Sequence, residues 1–315
     1  MKKILLFLFI TPLTVVKLMA QSPADMEFVP KGSICAGLGY NYDSWNHYWE
    51  GDTLRINGNV GTVTHQTIFA GASIGLIDRL NLIVMVPYVT SNTSQGTLNG
   101  QNGFSDISIN VKGKFAEWKL GSGHLKLGGN VGFSTPLSSY LVDFAPMSLG
   151  LGTTNLLYRQ LVSYKLEKGW YADARAAYTF RSNVSSIHRG GFYYDNGDAY
   201  YTDEVDVPNV FDWSLAAGFS NSRFLAEASF TNSNCTSGTD IRTWEPGFPT
   251  NETNFSVIQG RFDYYFKNPH GLNFSMKTGY TVAGRNVGQS WYGNISVNYL
   301  FPVWGKKSQE AKPVK

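Results

Sequence analysis

The sequence predicts an all-β protein, a transmembrane antiparallel β-barrel of about twelve strands, and four observations carry that reading. Apolar side chains recur with a period of two over stretches near ten residues, which is the pattern of a strand with one apolar face and not of a helix. The 315 residues are 43% hydrophobic and 15% aromatic but only 16% charged, whereas soluble domains carry about a quarter charged residues. Beyond the N-terminus no apolar run approaches the roughly 18 residues that a membrane helix needs. Finally, short turns and long polar loops alternate along the chain, as they do in outer-membrane barrels.

The N-terminus reads as a secretory signal. Lys2 and Lys3 precede an apolar run over residues 4–16, and Leu18-Met19-Ala20 gives a small-residue exit before Gln21. The run is too short for an anchor, and Lys17 interrupts it. No Cys follows the cut, which argues against a lipoprotein. Removing residues 1–20 takes away three lysines, so the excess of 26 Lys+Arg over 23 Asp+Glu disappears. A neutral mature chain gives no reason to expect nucleic acid as a partner. The expected organisation is signal peptide 1–20, a periplasmic N-terminal segment 21–31, the barrel 32–301, and a periplasmic tail 302–315.

The strands follow in order. The first spans about residues 32–42, with Ile34, Ala36, Leu38, Tyr40 and Tyr42 on one face, and a loop rich in Trp, Tyr and Asn (43–63) follows. The clearest hairpin is 67–88: Ile68, Ala70, Ala72, Ile74 and Leu76 share a face, Ile77-Asp78-Arg79 turns, and Leu80, Leu82, Val84 and Val86 resume. Pro87 stands inside that second strand, where it should mark a bulge or a break in the ladder, because proline has no N–H to donate. After a polar loop (90–103), strands over 106–115 and 124–135 set Ile107, Ile109, Val111, Leu125, Leu127, Val131 and Phe133 against polar partners. Beyond the 136–148 loop come 155–166 and 170–181; in the latter Trp170, Ala172, Ala174, Ala176, Tyr178 and Phe180 oppose Asp173, Arg175, Thr179 and Arg181. A long loop (182–208), a hairpin over 211–219 and 224–230, a loop (231–253), a hairpin over 258–266 and 272–282, and a last strand over 291–301 complete the chain.

Within this pattern Gly75-Leu76-Ile77-Asp78-Arg79-Leu80, Val86-Pro87-Tyr88, Gly103-Phe104-Ser105-Asp106-Ile107 and Leu149-Gly150-Leu151-Gly152 with Asn155 resemble the Gram-negative outer-membrane family named for the meta-pathway of phenol degradation. The resemblance covers residues 64–182. It departs at Ser134-Thr135-Pro136, where a Pro-Thr-Gly order is expected, and at Asn155, where Asp is expected. It implies a barrel, and members of the family are regarded as channels for small, often apolar compounds.

Reactive chemistry is thin. Gly71-Ala72-Ser73-Ile74-Gly75 has the G-x-S-x-G spacing, but that motif needs a strand-to-helix elbow and here lies in an alternating strand. The sequence has no Walker loop, no H-E-x-x-H and no Cys/His ligand cluster, so no catalytic residue, metal or cofactor is assigned. His47, His65, His124, His188 and His270 are scattered, and solvated side chains are the expectation. The constellation that stands out is the set of charges on the non-lipid parity: Asp106, Lys112, Lys114, Lys126, Arg159, Lys165, Asp173, Arg175, Arg181, Asp212, Glu227, Arg261, Asp263 and Lys277. In a closed barrel these face the lumen, as a salt-bridged filling or as the lining of a path. The function expected first is therefore a passive channel or transporter of the bacterial outer membrane for small molecules, apolar or aromatic ones included. A structural or surface-interaction barrel is second and a lipid-modifying enzyme a distant third. Its partners would be outer-membrane lipid, lipopolysaccharide and a small solute; nothing in the sequence sets an oligomeric state. Cys35 and Cys235, expected at opposite ends of the barrel, should remain free thiols.

Overall fold

A computed structural model describes residues 22–185, 190–242 and 247–304, without the side chains of 192–195. The signal peptide and the residues after Trp304 lie outside the described residues. Twelve long strands form the wall: β1 Ser33–Trp45, β2 Val63–Ile77, β3 Leu80–Thr93, β4 Asp106–Leu120, β5 Gly123–Pro136, β6 Asn155–Leu166, β7 Trp170–Arg181, β8 Val210–Ser220, β9 Phe224–Cys235, β10 Asn254–Tyr265, β11 Leu272–Arg285 and β12 Trp291–Pro302. Each pairs antiparallel with the next, and β12 returns to pair with β1 from Ser33↔Pro302 to Ser44↔Trp291, so the sheet closes without a free edge. Among the described residues no helix is long and apolar enough to cross a membrane.

Closure explains the two-residue period, because alternate side chains point outward and inward. Leu38, Ile68, Val131, Leu156, Leu215, Ile258 and Val297, on seven different strands, are each at least half exposed. A water-soluble protein would not leave such a belt uncovered, whereas lipid covers it. Rings fringe the belt at the short-turn end, where Trp170, Phe219, Phe224 and Phe262 pass from β7 to β10 with successive centroid separations of 5.3, 5.7 and 6.2 Å. Tyr42–Trp291 and Trp213–Phe230 do the same toward the long-loop end.

Several strands run further toward the long-loop end than their apolar pattern suggests. β9 continues through Thr231-Asn232-Ser233-Asn234 to Cys235, and β3 continues through Thr90-Ser91-Asn92 to Thr93. Above the lipid belt the ladder needs no apolar face, so polar side chains carry it on. Pro87 sits where the ladder changes partner: β3 pairs with β4 as far as Met85↔Ser108, then with the Gln101–Phe104 strand from Tyr88↔Phe104. The loops also carry structure, with a hairpin His47–Glu50/Thr53–Ile56 above β1 and another, Gly191–Asp195/Asp198–Thr202, above β7.

Candidate functional site

The lumen is the site, and two segments that are not wall strands fill much of it. The first is the stretch before β1. Residues 22–31, the described part of the expected periplasmic N-terminal segment 21–31, are folded into the short-turn end of the barrel. Met26, Val29 and Asp25 are all buried there. The reason is visible in the chemistry of Asp25-Met26-Glu27-Phe28-Val29: three apolar side chains gain cover, and both acids meet cations of the wall. Lys112 of β4 donates its three ammonium protons to Asp25 Oδ1 at 2.7 Å, the Glu27 carbonyl at 2.7 Å and the Ser22 carbonyl at 2.8 Å, while lying 5.0 Å from the Phe28 ring centre. Across the lumen Arg261 of β10 reaches Asp25 Oδ2 at 3.5 Å, and Lys165 of β6 reaches Glu27 at 3.5 Å. Asn81 of β3 donates to the Val29 carbonyl at 3.3 Å.

Two glycines make room for this plug. A Cβ on Gly75 would lie 2.1 Å from the Pro30 carbonyl oxygen, and one on Gly128 would lie 2.8 Å from the Met26 sulfur. Only a residue without a side chain fits either place. The plug fills its end well: the space beside Asp25, Glu27, Lys126 and Glu227 is about 20 Å³, room for about one water.

The second segment is the loop between β5 and β6, which folds inward from the long-loop end. Met147 is fully buried, and its carbonyl accepts from Ser91 Oγ at 2.6 Å; the Leu149 carbonyl accepts from Ser105 Oγ at 2.6 Å. His65 bridges Asp43 (3.3 Å) and the Pro146 carbonyl (2.9 Å), so this histidine is a tie between β2 and the loop instead of a solvated side chain. The Tyr140 hydroxyl donates to Asp106, and burial together with that carboxylate pushes its phenol well above the usual range. Beneath the loop lies a cavity of about 350 Å³, bordered by Asp106, Ser108, Asn110, Leu151, Leu157 and Arg181 among others.

Neither a protein-family model nor a curated protein matches the sequence. The fold does have solved counterparts. An outer membrane channel from Pseudomonas putida F1 superposes with a TM-score of 0.70 at 14% identity, over 90% of this chain and all of that one. The NanC porin aligns at a TM-score of 0.46 and 14% identity, over 84% of this chain and 98% of its own. The first likeness shows that the closed barrel is a known architecture.

The charges singled out in the sequence fall into distinct groups. Arg175 holds Asp173 and Glu227, each at 3.1 Å, and the Tyr171 hydroxyl donates to Glu227 at 2.9 Å. Arg261 grips Asp263 through two nitrogens, at 3.2 and 2.7 Å. Arg159 stands within electrostatic reach of Asp212, and Lys277 of Glu227, Arg159, Arg175 and Arg261. Lys114 pairs with Glu117 near the short-turn end, beside a bulge in the β4–β5 ladder. Arg181 donates to the Pro208 carbonyl at 3.1 Å near the opposite end. Ser73 lies mid-strand between Cys35 and Ile83, without the elbow that a nucleophile needs. Asp25 and Glu27 are the functional residues the sequence reading passed over. The signal available was the acid-apolar alternation of Asp25-Met26-Glu27-Phe28-Val29.

Proposed function

We propose that the protein is a passive outer-membrane channel for small solutes whose through-path is set by the N-terminal plug and the inward loop. The observation that carries this reading is the charged lumen. A barrel that served only as a scaffold could fill its centre with apolar side chains, yet Lys277 and Arg175 line an interior that also holds a cavity of about 350 Å³. Twelve strands lie between the eight that side chains fill and the sixteen or more that leave an open pore, so a narrow lumen with inserted segments is the expected compromise. The resemblance of residues 64–182 to the phenol meta-pathway family supports transport of small compounds, though no family model supports membership. The likeness to a channel of the same architecture supports transport over lipid chemistry.

The test is the swelling rate of proteoliposomes in arabinose, an uncharged solute small enough for a narrow path. The channel reading expects swelling faster than that of protein-free vesicles. A rate equal to the empty vesicles, with the barrel folded, would favour the structural or surface-interaction reading.

A further inference from the structure

The cavity beneath the inward loop carries two opposite charges that do not meet. Arg181 of β7, Asn155 of β6, Ser134 of β5 and Ser108 of β4 stand in one row across the wall, and Asp106 lies one inward position beyond Ser108. All five border the cavity of about 350 Å³. From β4 to β7 the row covers three strand spacings, about 14 Å along the wall. The acid and the guanidinium thus border one space from two sides, and neither is among the charges that act on the other.

Neither charge has an opposite one beside it. The Asp106 carboxylate accepts from the Tyr140 hydroxyl through Oδ1, and among the described residues no cation lies at ion-pair distance from it. The Arg181 guanidinium donates one N–H to the Pro208 carbonyl at 3.1 Å and lies beside the Cys235 thiol. The carboxylate it senses, Asp212, is further off and also acts on Arg159. A guanidinium has five N–H donors and a carboxylate about four acceptor sites, so both groups keep unused capacity. Part of the uncharged polar lining is already bonded to itself: Thr153 Oγ1 donates to Asn155 Oδ1 at 2.7 Å, and Asn155 Nδ2 to Ser134 Oγ at 2.9 Å. Leu151 and Leu157 give the same cavity apolar surface, and its volume is that of a small-ligand site.

We propose that this cavity binds a zwitterionic solute, an apolar α-amino acid, with its ammonium at Asp106, its carboxylate at Arg181 and its side chain along Leu151 and Leu157. The proposal rests on the channel reading and specifies its solute. Desolvated charge is costly without a partner, so a molecule carrying both signs gains at both ends. A lone anion would satisfy Arg181 and be repelled by Asp106, and a lone cation the reverse. An uncharged sugar would leave both charges unpaired and meet hydrogen-bonding groups already engaged.

The test is ion current through the full chain in planar bilayers with L-leucine added, beside 4-methylpentanoate, which lacks the ammonium, and 3-methylbutylamine, which lacks the carboxylate. Leucine is expected to block at the lowest concentration. Asp106→Asn should raise the half-blocking concentration of leucine and of the amine roughly fivefold, the Boltzmann factor for one unit charge at about 4 Å in water, and should not raise that of 4-methylpentanoate. Arg181→Gln should do the same to leucine and 4-methylpentanoate, and not to the amine. Asn keeps an oxygen for the Tyr140 hydroxyl, so Asp106→Asn guards against a misfolded Arg181→Gln. Leucine block no stronger than that of either analogue, or unchanged in the folded variants, would overturn the proposal and leave the channel reading standing. Absence of current in every form would remove both.

Discussion

Lys112 is fully buried with every proton donated, two of its three acceptors being main-chain carbonyls of the plug. Its inward parity is legible from Ile109 and Val111 beside it, but its partner is not. Asp25 lies 87 positions away, in a segment with no strand periodicity, and sequence spacing carries no information about such a contact. The same division holds at Arg175, whose face is fixed by Ala174 and Ala176 while its pairing with Glu227 depends on how β7 and β9 face each other across β8. The face assignment itself can be tested at single positions. Ala174 is exposed on the outer surface, so Ala174→Arg should destabilise the barrel by about 2–4 kcal/mol near the bilayer midplane. Thr179→Arg, toward the outer cavity, should cost much less. Urea titration in bilayers compares them, and equal costs would invert the inside and outside of β7.

At the scale of elements, strand existence and order were readable because each strand has one apolar face. Strand ends were not, since Ser, Thr and Asn continue the ladder of β3 and β9 above the belt without any apolar signal. The loops were the least legible. Residues 43–63 looked like a loop of free aromatics, yet Trp49 is buried, its N–H bonded to the Val287 carbonyl at 2.8 Å. Two of these outer loops are joined at Arg285, which pairs with Asp240 at 2.7 Å and Glu252 at 3.5 Å in one and Asp52 at 3.2 Å in the other. The Arg285 guanidinium, with help from Asn286, holds the Asp240 carboxyl below its ordinary value. A depressed folded value means that this tie is fully present above the ordinary aspartate pKa of about 3.9 and is lost as the pH falls through the lower folded value. Limited proteolysis of residues 236–253 should therefore be flat from neutral pH down to about 4 and rise only below it, measured with an acid-active protease. In Arg285→Gln the rise should be replaced by cleavage at every pH; cleavage of wild type that already climbs between pH 7 and 5 would contradict the assignment.

The molecule as a whole is a closed wall with an interior that the wall does not predict. Composition, parity and alternating connection lengths were enough for a twelve-strand barrel, because closure imposes them on every strand. They were silent on what occupies the lumen, since residues 22–31 and the β5–β6 loop are held by contacts far apart in sequence. The two cysteines follow the wall. Cys35 lies at the short-turn end of β1 and Cys235 closes β9 at the other end, as part of the strand and not of the loop expected there, and both are free thiols. With the termini on the periplasmic side, a tag inserted at the Asn196-Gly197 turn should be reached by antibody on intact cells, and one at Ser122 should not. Reversed labelling would invert the orientation.

The central claim is that residues 22–31 sit in the lumen and restrict the path through it. Single-channel conductance of the wild-type chain and of a chain lacking residues 22–30 tests this most directly. Removing the plug frees Lys112 and Arg261 to water and opens the end of the barrel where only about 20 Å³ remains beside it, so conductance should rise well above the wild-type level. Equal conductance in the two folded proteins would contradict the account, because it would place the segment outside the path.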